Sequence, residues 1–266
     1  STSTQYGLGT DLAAVGYATN GLMNNETIGS VALTSNGSAA TANVGNYNIS
    51  ATNAAGGTFN SSNYNISYVN GTVTITQANI TVAANDQTRI YGGANPTSGN
   101  VTLTNGTLYN SDTLATATVV SAATNISSVG NYTLTASNQT MSAGQAGNYN
   151  ITYVNGALTI DKASATVTAN SGNVTYNGSL QSVTGFSASG LVNGETIAVL
   201  TNVTAGGSGT NAGSYVTQAT GNATNYNLTF VDGTLLINKA NATVTANSSS
   251  VFYTGQAQSV SGFTVL

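Results

Sequence analysis

Three stretches of this chain alternate apolar and polar residues on either side of an Asn-Gly or Asp-Gly pair. They read NYNISYVNGTVTITQA from Asn63, NYNITYVNGALTIDKA from Asn148 and NYNLTFVDGTLLINKA from Asn225. Period-two alternation puts successive side chains on opposite faces of a strand, and Asn-Gly tolerates the positive φ of a two-residue hairpin loop. The pattern predicts a hairpin in each copy. With Asn155-Gly156 as the loop, Val154 lies opposite Ala157, Tyr153 opposite Leu158 and Ile151 opposite Ile160. That register gathers Tyr153, Leu158, Ile151 and Ile160 on one face and leaves Thr152 and Thr159 on the other. The same folding sets Tyr68 against Val73 and Ile66 against Ile75 in the first copy. In the third it sets Phe230 against Leu235 and Leu228 against Ile237.

The copies are spaced by long intervals: 63 to 148 is 85 residues and 148 to 225 is 77. Each period can enclose a small core of its own, unlike the short repeats of a solenoid. The boundaries expected are 1–78 for a first repeat lacking its opening strand, 79–163, 164–240, and 241–266 for a partial fourth. Each repeat opens on an alternating strand, as at Ile80 and Val82 or at Ala165, Val167 and Ala169. Further motifs recur in fixed order. Tyr91-Gly-Gly is matched by Tyr176-Asn-Gly and Tyr253-Thr-Gly, with Tyr6 at the same offset. Leu191-Val-Asn-Gly-Glu-Thr-Ile197 matches Leu22-Met-Asn-Asn-Glu-Thr-Ile28. Gly213-Ser-Tyr215 matches Gly45-Asn-Tyr47 and Gly130-Asn-Tyr132. No segment sustains a period of 3.6, so no helix is expected. Closing strands run through Lys162 or Lys239 directly into the next opening strand, which predicts a stiff rod. Either 1–266 is a window of a longer array, or Asn241–Asn247 serves as a strand donated to the incomplete first repeat of a neighbouring copy.

Composition narrows the function. Only Arg89, Lys162 and Lys239 are basic and seven residues are acidic, so charged residues make up 4% of the chain, against about 25% in an average soluble protein. With plentiful Val, Ile, Leu and Tyr, this describes ordered β-structure with a neutral Asn/Ser/Thr surface rather than disorder. No basic patch is available to neutralise phosphates, which argues against nucleic acid as a partner. No run of about 18 apolar residues suggests membrane insertion. Cysteine and histidine are absent.

The Tyr-x-Gly turns, Leu-x-Asn-Gly-Glu at 191–195, Asn-Ala-Gly-Ser-Tyr at 211–215 and the Asn-Tyr-Asn cassette ending Ile-Asn-Lys-Ala at 237–240 together resemble the MBG-type repeats, and the related YDG type, of large bacterial surface adhesins of the filamentous-haemagglutinin kind. The resemblance spans nearly the whole chain. It departs in the first repeat, where Gln77 stands in place of Lys162 and Lys239. It implies a secreted, fibre-like surface protein and supplies no catalytic residue.

The residues agree with a non-enzymatic role. Without His or Cys there is no ready general base, nucleophile or soft metal site, and the seven acids are scattered singly. Glu26, Asp112 and Glu195 share one repeat position, which suggests a turn or local hydrogen-bonding role. Asp161 and Asp232 are too isolated for calcium, and Asp232 replaces Asn70 and Asn155 as a type I′ turn allows. Lys162 and Lys239 could form an internal Lys–Asn crosslink promoted by Glu195 or Asp112. Solvated strand ends are the plainer reading. A Thr-rich ice-binding face is disfavoured by irregular Thr spacing.

The strongest chemical signal is Asn-x-Ser/Thr: Asn36, Asn70, Asn105 and Asn177 in expected turns, and Asn65, Asn150 and Asn227 on the polar face of the cassette. In a secreted protein these are N-glycan acceptors. The expectation is an all-β tandem array of small immunoglobulin-like sandwiches forming an elongated rod, with β-grasp-like repeats as the alternative. It would act as stalk or fibre of an adhesin or surface filament in adhesion or biofilm formation. It would self-associate, engage a host, neighbouring-cell or matrix surface, and need no cofactor or metal. The alternatives are a direct glycan- or partner-binding module and a pilin or sheath subunit that polymerises by strand donation.

Overall fold

A computed structural model describes residues 1–266, and its regular secondary structure is almost entirely β-strand. The chain divides into two compact units, Ser1–Arg89 with Gly93–Asp161, and Ile90–Gly92 with Lys162–Leu266.

In unit 1, β1 (Thr2–Gln5), β2 (Ile28–Thr34), β3 (Gly45–Gly57) and β4 (Gly71–Thr76) form a sheet in the order β1-β4-β3-β2. β1 lies parallel to β4 and the other pairs are antiparallel. One residue after β4 begins β5 (Ala78–Ala84), followed by β6 (Gln87–Ile90), β7 (Ser98–Gly106), β8 (Thr113–Leu114), β9 (Thr116–Val120), β10 (Gly130–Ser137), β11 (Met141–Ala143), β12 (Tyr149–Val154) and β13 (Gly156–Asp161). Seven of these form a sheet ordered β12-β5-β7-β9-β10-β13-β6, with β8 and β11 paired apart. β7 pairs with β5 along Val101–Gly106 and with β9 along Ser98–Asn100, so the sheet curls into two facing layers.

Unit 2 repeats the plan with the layers separated. β14 (Ala163–Ala169), β15 (Gly172–Thr175), β16 (Gln181–Thr184), β17 (Phe186–Ser189), β18 (Asn202–Gly209), β19 (Gly213–Asn222), β20 (Tyr226–Val231) and β21 (Gly233–Asn238) make a three-stranded sheet β17-β14-β20 and a five-stranded sheet β15-β21-β19-β18-β16. β14 and β20 pack on β19. Between the layers lie buried Ala165, Val167 and Ala169, the inward set expected, and Val203, Leu235 and Ile237. A last ribbon pairs β22 (Val244–Ala246) with β23 (Phe263–Val265). The architecture is the all-β sandwich array that the alternation predicts.

The cassette, however, is not a hairpin. β12 pairs in parallel with β5 (Tyr149 with Ala78, Ile151 with Ile80, Tyr153 with Val82), while β13 pairs antiparallel with β10. β20 and β21 divide likewise, β20 to β14 and β21 to β19. In these two copies the inward-facing residues are those expected, but the two strands belong to opposite layers; in the first copy Tyr64–Val69 forms no strand, and Ile66 and Tyr68, expected on the inward face, are exposed. Crossing between layers brings the two apolar faces against each other, where a lone hairpin would leave its apolar side in water. Neither residue of Asn70-Gly71, Asn155-Gly156 or Asp232-Gly233 takes positive φ, so none is a type I′ turn. At the second and third of these pairs glycine is required for space: a Cβ on Gly156 would drive into the Ala84 carbonyl and one on Gly233 into that of Ala169, at the end of each opening strand.

Type I′ geometry falls elsewhere. Both central residues of Asn24-Asn25, Asn110-Ser111 and Asn193-Gly194 have φ between 54° and 71°, as that turn demands. Four short helical turns also occur, against the helix-free expectation. They are Leu12–Val15, where the Asp11 side chain accepts from Ala13 N, and the 3-10 turns Ser61–Asn63, Ala146–Asn148 and Ile197–Val199. Each is a single turn, too short to impose a helical period on the sequence.

Candidate functional site

Each type I′ turn ends on the recurring acid, closed by a backbone bond: Glu26 N to Met23 O at 2.9 Å, Asp112 N to Tyr109 O at 2.8 Å, Glu195 N to Val192 O at 3.0 Å. The turn presents its carboxylate and its first N–H to the tyrosine of the Asn-Tyr-Asn motif. Tyr149 Oη donates to Asp112 Oδ2 at 2.7 Å and accepts from Tyr109 N at 2.9 Å. Tyr226 Oη donates to Glu195 Oε2 and accepts from Val192 N at 3.1 Å. Tyr64 Oη donates to Glu26 Oε2 and accepts from Met23 N at 3.1 Å. One hydroxyl thus pins one turn, three times over.

A third group completes two of these sockets. Tyr6 Oη donates to Asp112 Oδ2 at 3.0 Å, and its ring meets Tyr149 edge-on at 5.5 Å. Within unit 2, Tyr91 Oη donates to Glu195 Oε1 at 2.5 Å and its ring meets Tyr226 edge-on at 5.6 Å. Both turn tyrosines are 4% exposed. The glycine after each makes room for the acid turn, since a Cβ on Gly7 would overlap the Tyr109 side chain and one on Gly92 that of Val192. Edge-to-face pairing adds about 0.5–1.5 kcal/mol to the area buried. The acids therefore do more than hold their own turn: Asp112 reaches 106 residues back to Tyr6. Recurrence of the acid and of both tyrosines at fixed offsets was the available signal; their convergence was not readable.

Two other sets recur. Tyr47, Tyr132 and Tyr215 each donate to the carbonyl four residues earlier, Asn43 at 2.9 Å, Ser128 at 2.8 Å and Asn211 at 3.0 Å, fixing the start of β3, β10 and β19 as a tyrosine corner does. Gln77 Nε2 donates to Gly147 O at 3.1 Å and Tyr149 O at 3.2 Å, and Lys162 Nζ donates to Ala223 O at 2.9 Å. Gln and Lys are interchangeable there because either long donor satisfies those carbonyls. Lys162 is thereby engaged with a backbone oxygen, while Glu195 and Asp112, the acids thought to promote a crosslink, accept from tyrosines. Lys239 is exposed.

The burial of Tyr226 pushes its hydroxyl up to about 12, with the Glu195 bond adding to the rise. Tyr149 is raised further for the same reasons, burial first and then Asp112. Tyr91 and Tyr64 are raised chiefly by their bonds to Glu195 and Glu26. All four hydroxyls are protonated donors at neutral pH.

The first repeat carries a cleft of about 560 Å³. One wall is Tyr17–Asn20 and the other Tyr64–Val69, with Val31, Leu33 and Ile49 between them. By the recurring offsets these walls correspond to β17 and β20, yet neither is a strand here. Of the candidate glycan acceptors, Asn36, Asn65, Asn70, Asn105, Asn150, Asn177 and Asn227 are all exposed. Asn105 lies in β7 rather than in a turn, because the strand continues to Gly106 against Ile80. Asn150 Nδ2 donates to Asn79 Oδ1 at 2.8 Å, and Asn177 Oδ1 accepts from Ser179 N at 3.0 Å.

The sequence profile of the MBG domain, YGX type, matches residues 2–74, 80–159 and 165–236. The chain belongs to the MBG family. The matched stretches hold the socket parts in register: Tyr6 and Tyr91 each precede a glycine and Tyr176 an asparagine, and each completed socket joins the turn tyrosine of one MBG repeat to the acid turn of the next. MBG repeats are a surface-protein module, and no helix is long and apolar enough to cross a membrane. No curated protein matches the chain. Among solved structures, SGBP-B of the Bacteroides ovatus mixed-linkage glucan utilization locus, in complex with a mixed-linkage heptasaccharide, is similar at 12% identity. The match covers 80% of this chain and 57% of that one, at a TM-score of 0.16, too low to carry an argument.

Proposed function

We propose that this MBG array is a structural segment of an extracellular adhesin or surface filament, serving as stalk or fibre. The observation that supports this reading most is the burial of Tyr6 in the Asp112–Tyr149 socket. A side chain of one repeat is a core residue of the next, so the junction resists bending as a packed interior does rather than as a linker. Near-absence of charge leaves few ion pairs to screen, which suits a fibre exposed to varying salt. The seven exposed acceptors suit a glycosylated surface, and intact-mass measurement of native material tests that: a mass equal to the bare polypeptide of 26.5 kDa removes it. The stalk role is tested on the cell surface by deleting one repeat. A stalk shortens by one unit and keeps its ligand. Loss of adhesion on changing exposed tyrosines to alanine, at unchanged fibre length, would instead identify a direct binding module.

A further inference from the structure

We propose that the entering and leaving strands of each intact MBG repeat form a shear clamp that carries tension along the chain. This rests on the stalk reading and names the contacts that bear its load.

In the third repeat the two strands run side by side in one direction through both layers. β14 pairs parallel with β20 from Ala163–Tyr226 to Thr168–Val231, and β15 pairs parallel with β21 from Gly172–Leu235 to Thr175–Asn238. From 163 to 226 and from 172 to 235 are both 63 residues, so the two strands change layers at the same level and keep one register. The ladder opens with Ala163 N donating to Asn225 O at 3.0 Å and closes with Tyr176 N donating to Asn238 O at 2.9 Å. Backbone pairing is interrupted only at the layer crossing, and a side chain bridges it. Thr234 N donates to Ser171 Oγ at 3.0 Å, again 63 residues apart. The second repeat is built alike. β5 and β12 are parallel from Ala78–Tyr149 to Ala83–Val154, 71 residues apart throughout. At the crossing Ala157 N donates to Asp86 Oδ1 at 2.7 Å, also 71 apart. Serine and aspartate differ chemically, yet each lends an oxygen to the N–H that the crossing would leave unpaired.

Tension reaches a repeat at the start of its entering strand and leaves at the end of its last one. Because the strands are parallel, those points lie at opposite ends of the ladder, and pulling slides one strand along the other. The hydrogen bonds of both layers then resist together. Antiparallel pairing would put both points at one end, and the same tension would peel the bonds one at a time. Sliding must also drag the buried Ala165, Val167, Leu235 and Ile237 past their packed neighbours. No slack linker absorbs the pull between the second and third repeats, since Lys162 alone separates β13 from β14.

The chain has no cysteine, so pairs of introduced cysteines give defined attachment points for optical tweezers on the whole 266-residue chain. Ser164, Asn227 and Lys239 are all exposed. Ser164→Cys with Lys239→Cys pulls the third repeat along its ladder. Ser164→Cys with Asn227→Cys pulls two partnered residues apart at one end. At one constant force the first pair is expected to hold about tenfold longer or more, since lifetime under load is set by the unfolding rate. Ser171→Ala added to the first pair shortens that lifetime about threefold, as loss of one hydrogen bond does. Val203→Ala, in β18 and outside both parallel pairs, lowers the urea midpoint more than Ser171→Ala but leaves the lifetime within about twofold. Equal lifetimes for the two attachment geometries overturn the inference. So does a Val203→Ala effect under load as large as that of Ser171→Ala. Either failure leaves the stalk reading standing, because deleting one repeat still shortens a stalk; a fibre of unchanged length after that deletion removes the stalk reading and not the clamp.

Discussion

Tyr226 carries two hydrogen bonds on one oxygen, and its removal separates a turn from a strand. In Tyr226→Phe the Val192 N–H loses its acceptor and Glu195 one of its two donors, a loss of about 1–3 kcal/mol. Urea denaturation of unit 2 measures it, with an unchanged m-value expected. The same hydroxyl sets an alkaline limit. Its folded pKa of about 12 exceeds the usual tyrosine value of about 10. The stabilisation is therefore complete below about pH 10 and is lost as pH rises toward about 12, where the unfolded chain ionises first. The denaturation midpoint should stay level up to about pH 10 and then fall, in step with tyrosinate absorbance. Glycine at the layer crossing gives a second contrast. Gly156→Ala forces a methyl into the Ala84 carbonyl and should cost about 1–3 kcal/mol. Gly71→Ala meets nothing nearer than Ile49 Cβ at 3.6 Å, so its effect should stay within about 0.5 kcal/mol. Thermal melts of the pair separate crowding from a general intolerance of side chains there.

At the scale of elements, the opening strand makes its neighbours into strands. β12 and β20 are ordered in parallel register on β5 and β14, whereas the equivalent Tyr64–Asn70 has no strand partner and its apolar Tyr68 and Val69 are exposed. The tyrosine turn acts the same way. Tyr6→Ala empties a fully enclosed site among Tyr109, Tyr149 and Asp112 and should cost unit 1 about 3–5 kcal/mol, in the range of large aromatic truncations. Tyr176→Ala should change stability by far less, about 1 kcal/mol or below, because the residue is 40% exposed where Tyr6 is 4% exposed. Chemical denaturation of the two variants at low protein concentration checks the contrast.

For the whole molecule, scarcity of charge becomes a resistance to proteolysis. Arg89 is buried, its Nε donating to Asn95 Oδ1 at 2.8 Å and its Nη2 to Thr124 O at 2.5 Å, and Lys162 is tied to Ala223. Lys239 alone among the basic residues is exposed. Trypsin acting on the native chain should cut first after Lys239, removing the 240–266 segment in one step and leaving the remainder intact, as mass spectrometry of the digest will show. A first cut after Arg89 would mean that the β6 region opens far more readily than its burial implies.

The sequence by itself determined the repeat, the predominance of strands and the inward faces of the cassettes at 148–163 and 225–240, because these follow from local alternation and from recurrence at fixed offsets. It also exposed the acid and the two tyrosines of each socket as repeated positions. Pairing partners were beyond it. Asn155-Gly156 and Asn193-Gly194 carry the same dipeptide, yet one crosses between layers at negative or extended φ and the other forms the type I′ turn. The choice lies with whatever occupies the neighbouring space: the Ala84 carbonyl in one case, a tyrosine hydroxyl in the other. Only the tertiary structure decided that the cassette strands part to opposite sheets and that Tyr6 finishes a socket begun 106 residues later, since burial of both apolar faces is settled by the whole packed repeat and not by any window of its chain.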